Sequence, residues 1–228
     1  MSVSQRGIKK EILALLEGGD IAAIRQGLVR YPPEKLLNSL FSAICSASEK
    51  IRWNGIMAMG ATVARLADQD MEAARIVMRR LMWSLNDESG GIGWGAPEAM
   101  AECLLCHEGL AREYTHILVS FMREDGFYLE LPSLQRGLMW GLARLGEARP
   151  ELLHTWQAPR YLLPYLAAED PAVRALAALA LGRLKARDAL PQIRQLGNDP
   201  ALFSLYRDDR LLNVSVGLLA KEAIAALA

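Results

Sequence analysis

Cys103-Leu104-Leu105-Cys106-His107 spells C-x-x-C-H, the spacing at which two thiols bond to a c-type haem and the imidazole ligates its iron. The motif falls in a stretch that reads as one helix, where Cys103 suits an apolar packing site. The N-terminal stretch has no long apolar run, and Lys9-Lys10 precedes an amphipathic segment, so no export signal is expected. Reduced thiols in the cytoplasm are then the default for the three cysteines. Zinc would need a fourth ligand such as His116, and the pattern matches no common closed site. The expectation is no cofactor and no metal, with haem at Cys103, Cys106 and His107 as the alternative. His107, His116 and His154 are scattered. No H-E-x-x-H or G-x-S-x-G occurs, so no catalytic residue is assigned and the reading leans away from an enzyme.

A second group of residues points to binding. Gly90, Gly91, Gly93 and Gly95 precede Pro97, and each disfavours helix by about 1 kcal/mol relative to Ala. An ordered loop is expected there, with Pro97 as the first helical residue. Its N–H groups, beside an open helix start, suit an anion such as a carboxylate or phosphate. Neither the phosphate-cradling G-x-x-x-x-G-K-[ST] nor the dinucleotide G-x-G-x-x-G pattern is present. The plainer reading is that the glycines turn the chain and let Trp94 pack. Glu98 stands in a core-like register, where a carboxylate is costly unless paired; it can accept hydrogen bonds from the loop, or face a ligand with Arg52 nearby. A first-turn Glu also complements the helix dipole. Asn86-Asp87-Glu88 ends the preceding helix and faces the same loop. The candidate binding residues are Arg52, Trp53, Asn86, Asp87, Glu88, Trp94 and Glu98.

The elements that must position these residues are repeats. Val173–Gly182, VRALAALALG, aligns without gaps on segments beginning at Ile51, Ile92, Leu134 and Leu211. The spacing of about 40 residues is that of HEAT or armadillo helix pairs. Trp94 and Trp53 share a repeat position, as do Arg52, Gln135 and Arg174; such positions can form a ladder along one face. Asp170-Pro171 reads as a helix start, and Gly182 makes sense where a neighbouring helix presses close. The pattern D-x-x-V-R-x-x-A-x-x-A-L-G-x-L over residues 170–184 resembles the HEAT-like repeats of the phycobilisome-lyase type. That resemblance implies a possible accessory role in chromophore attachment.

The expected fold is an all-α solenoid of antiparallel helix pairs, HEAT-like, in a single domain over 1–228. Residues 1–48 form divergent capping helices and 49–228 about five repeats, the last helix starting at Asp208-Asp209. Lys+Arg and Asp+Glu are both 26, which gives no general attraction to nucleic acid and ranks a HEAT-like nucleic-acid-binding or DNA-repair protein third, behind the lyase-like accessory role. No run is long and apolar enough to span a membrane. A cytoplasmic protein-interaction scaffold, with a protein or peptide partner at the 86–97 loop, is the functional expectation.

Overall fold

The computed structural model describes residues 5–85 and 93–228. Among them are thirteen α-helices and one two-stranded antiparallel sheet, an all-α solenoid class with a minor hairpin. The described chain clusters into two compact units, one ending at Leu110 and the other beginning at Ala111.

The first unit holds α1 (Gln5–Gly18), α2 (Ile21–Leu28), α3 (Pro33–Ile44), α4 (Glu49–Gln69), α5 (Met71–Leu85) and α6 (Ala96–Cys106). The division falls inside α7 (Glu108–Ser120). Starts follow the capping chemistry: Asp20 accepts from the Ala23 N–H at 2.7 Å, and Asp70 from Ala73 at 3.0 Å. The long helix α4 packs against α3, α5 and α6.

The second unit holds α8 (Pro132–Ala148), α9 (Pro150–Thr155), α10 (Ala158–Leu162), α11 (Pro171–Arg183), α12 (Leu190–Gln195) and α13 (Val216–Leu227), with 3-10 turns around α12 and after α10. Here α11 packs against both α8 and α13. Asp170 caps α11, accepting from Ala172 and Val173 at 3.0 and 3.2 Å, and Arg136 Nε reaches the same carboxylate at 2.7 Å.

Two features of the repeat register have a structural reason. The first is the glycine at its tenth position in two of the five copies, Gly60 and Gly182. A Cβ on Gly182 would lie 2.6 Å from Ala223 Cα, and one on Gly60 would lie 2.8 Å from Glu102 Cβ. Each glycine permits a backbone approach to a neighbouring helix that no side chain allows. The second is the position shared by Arg52, Gln135 and Arg174. Arg52 donates to the Ser46 carbonyl at 3.2 Å, Gln135 to Leu129 at 2.8 Å and Arg174 to Ala168 at 3.3 Å. Each side chain thus reaches back to the carbonyl six residues earlier and satisfies a loop group. The same-position polar residues therefore each clamp the loop before their own helix.

The last repeat corrects the sequence reading. Asp208-Asp209 does not start a helix; it forms the turn of a hairpin between β1 (Leu202–Arg207) and β2 (Arg210–Ser215). Both aspartates have positive φ, 51° and 60°, as a two-residue turn with the right-handed strand twist requires, and Asp tolerates that region better than most residues. Arg207 ties the hairpin to α13 through two contacts of 3.0 Å to Glu222. The Trp140 indole, on α8, donates to the Tyr206 carbonyl at 2.8 Å. Helix begins only at Val216, after the Ser215 hydroxyl accepts from Leu218. No helix among the described residues is long and apolar enough to cross a membrane.

Candidate functional site

The irregular repeat lies in the first unit. Helix α6 begins at Ala96, six residues later than the alignment with the start of α4 at Glu49 would place it. Residues 93–95 are non-helical. Gly95 precedes the helix with φ 75°, and a Cβ there would collide with the Ile44 carbonyl oxygen. Only glycine lets the chain turn into α6 this close to the end of α3. Asn86, Asp87 and Glu88, like Gly90 and Gly91, lie outside the described residues.

Trp94 sits in that turn, 47% exposed, and its carbonyl lies 3.7 Å from Cys45 Sγ. Partial burial pushes the Cys45 thiol above its ordinary range. Trp53 is half-buried on α4. Arg52 is held by the Ser46 carbonyl and by Glu49 at 3.4 Å, so its placement is set by its own helix start.

Glu98, in the first turn of α6, is the unusual group. Its Oε2 is buried without a hydrogen-bond partner among the described residues. Burial pushes its carboxyl up to about 7, against the opposing pull of its own backbone N–H and the Arg52 charge. The corresponding positions are Met57, Trp140, Leu179 and Gly217, all buried. A carboxyl in this place is poised between neutral donor and anion near neutral pH. Of the predicted residues, the structure brings Arg52 within electrostatic reach of Glu98 and places Trp94 four residues ahead of it.

Glu102 escaped the sequence reading. It is fully buried, one helical turn beyond Glu98, and the close approach at Gly60 is made against it. Aligned positions hold Ala61, Arg144, Arg183 and Lys221, which suggest an outward face and gave no sign of burial.

The C-x-x-C-H motif forms the junction between α6 and α7. Cys103 is fully buried, and burial raises its thiol well above the ordinary range. His107 Nδ1 accepts from the Leu110 N–H at 3.2 Å, and Nε2 lies 3.6 Å from Asp68. The imidazole therefore caps the start of α7 with one nitrogen and faces a carboxylate with the other. Among the described residues no three His, Cys, Asp or Glu side chains gather as metal ligands.

No protein-family model matches the sequence, and no curated protein does. Solved structures do. A designed armadillo repeat protein is similar over 100% of this chain and 96% of its own, at TM-score 0.59 and 18% identity. Another, solved in complex with the peptide (KR)4, matches 98% of this chain and 92% of its own, at TM-score 0.59 and 16% identity. An engineered protein covers 100% and 92% at TM-score 0.58 and 15% identity. This chain has the armadillo-like helical-repeat fold.

Proposed function

We propose that the chain is a repeat scaffold that binds a protein or peptide partner. Its working surface is the first-unit region of Arg52, Trp53, Trp94 and Glu98, with Asn86, Asp87 and Glu88 adjoining it in sequence. The fold supports a binding role: helical repeats supply surface rather than chemistry, and one structural neighbour is a designed armadillo repeat protein in complex with a peptide. The observation that carries the choice of surface is Glu98, a buried carboxyl oxygen with no hydrogen-bond partner among the described residues, in a helix whose first turn is missing. Departures from local rules in an otherwise regular protein mark working sites, and a half-exposed Trp beside one has hot-spot character.

The HEAT-like resemblance to phycobilisome-lyase repeats rests on residues such as Asp170, Arg174 and Gly182. These cap a helix, bond loop carbonyls and admit a neighbouring helix; they lend a lyase role no reactive group.

Panning a random peptide library on the purified protein tests the proposal. Enriched peptides should bind the Trp94→Ala variant about tenfold or more weakly, with its helical circular dichroism unchanged. Enriched peptides that bind the variant equally well would remove this surface from consideration.

A further inference from the structure

A groove of about 450 Å³ runs along α3 and α5 in the first unit, within the size range of sites that take a few side chains. Its walls include Phe41, Cys45, Arg80 and Trp83, and among the described residues no carboxylate lines it. Trp83 is 72% exposed. A solitary exposed aromatic is ordinary; one that shares a groove with a cation held over a second ring is not.

Arg80 is that cation. Its guanidinium lies 3.8 Å from the centroid of the Phe41 ring, and one of its N–H groups reaches Asn38 Oδ1 at 3.2 Å. Elsewhere on the same helix, Arg75 and Arg79 contact Glu72 at 3.4 and 2.6 Å. Among the described residues Arg80 meets no carboxylate; the Phe41 ring and the Asn38 amide hold its planar fork in place. Lys9 adds a second cation, reaching Ser42 Oγ at 3.4 Å on the rim. In a chain of zero formal charge, the described lining of this groove joins aromatic walls to the Arg80 and Lys9 cations.

We propose that the groove takes an acidic, apolar segment of a partner polypeptide: a carboxylate pairs with the Arg80 fork while an adjacent apolar side chain covers Phe41 and Trp83. Charge complementarity fixes the sign of the partner, and a preorganised guanidinium gives a bidentate pair at little ordering cost. Cys45 lines this groove and also contacts the Trp94 carbonyl, so the groove adjoins the surface assigned above. The inference rests on reading that surface as a peptide-binding one and adds the chemistry of the peptide.

Fluorescence anisotropy with two labelled probes tests it. One is a short Ser/Gly-rich peptide with a central D-L-D-F; the other carries K-L-K-F. The acidic probe should bind about tenfold or more tightly than the basic one, and its affinity should fall as salt is raised. Arg80→Gln should abolish the preference, Arg80→Lys should retain part of it, and Trp83→Ala should weaken both probes. Equal or tighter binding of the basic probe overturns the inference, as does an acidic preference that survives Arg80→Gln, or the absence of binding by either probe. Self-association of the unliganded protein that is lost in Trp83→Ala also overturns it, because a second copy then fills the groove. Each of these results leaves the panned-peptide dependence on Trp94 standing or falling separately.

Discussion

Replacing Glu98 by Gln gives a stability change that depends on pH in a way ordinary surface substitutions do not. The folded carboxyl titrates at about 7 against an ordinary value of 4.5. Between those values the folded state keeps a proton that the unfolded chain has released, so stability is lost as pH rises. Below 4.5 both states are protonated and the penalty vanishes; above 7 it is complete. The gap of about 2.5 pH units, at about 1.36 kcal/mol each, gives roughly 3 kcal/mol at pH 8 and less than about 1 kcal/mol at pH 5. Glutamine keeps the shape without the ionisation, and the net shift already includes whatever the helix start and Arg52 give back to the charged form. Urea unfolding of both proteins at pH 5 and pH 8 should therefore show the variant within about 1 kcal/mol at pH 5 and roughly 3 kcal/mol more stable at pH 8. A difference between the two proteins that stays constant across this range would refute the reasoning, because it would mean that the buried carboxyl is fully compensated.

Other expectations follow from single contacts. Gly182→Ala puts a methyl where Ala223 Cα stands 2.6 Å away, so it should destabilise by about 1–3 kcal/mol despite the better helix propensity of Ala; a gain in denaturation midpoint would contradict the close approach. Asp170→Ala removes both N–H acceptor contacts and the Arg136 partner and should cost about 1–2 kcal/mol in urea unfolding; no change would show the cap to be idle. With Cys103 buried and the His107 ring committed to Leu110 and Asp68, purified protein should show no Soret absorbance after incubation with haem; a Soret band resistant to acid-acetone extraction would reverse that reading.

Much of this architecture is legible in sequence because its signals are local. Asp170-Pro171 names a helix start, and the Gly60 and Gly182 register marks where helices touch. The Gly-rich run correctly delays α6. What the sequence concealed depended on partners distant along the chain. Leu211–Ala220 fits the helical register without gaps, yet two aspartates in the left-handed region and pairing with Leu202–Arg207 turn its first half into a strand. Arg52, Gln135 and Arg174 share a position for which an open ladder and a clamp on a loop carbonyl look identical in sequence. Glu102 is buried by the helix that approaches at Gly60, and Arg80 with Phe41 pairs α5 with α3, outside any repeat register.

The five tryptophans make the choice of surface directly measurable. Indole N–H resonances in a 15N-labelled sample, assigned by single Trp→Phe substitutions, report separately on Trp53, Trp83 and Trp94 in the first unit and on Trp140 and Trp156 in the second. Titration with a panned peptide should shift Trp94 and Trp53 and leave Trp140 and Trp156 in place. Shifts confined to Trp140 or Trp156 would put the partner elsewhere and contradict the assignment of the glycine-interrupted repeat as the binding surface.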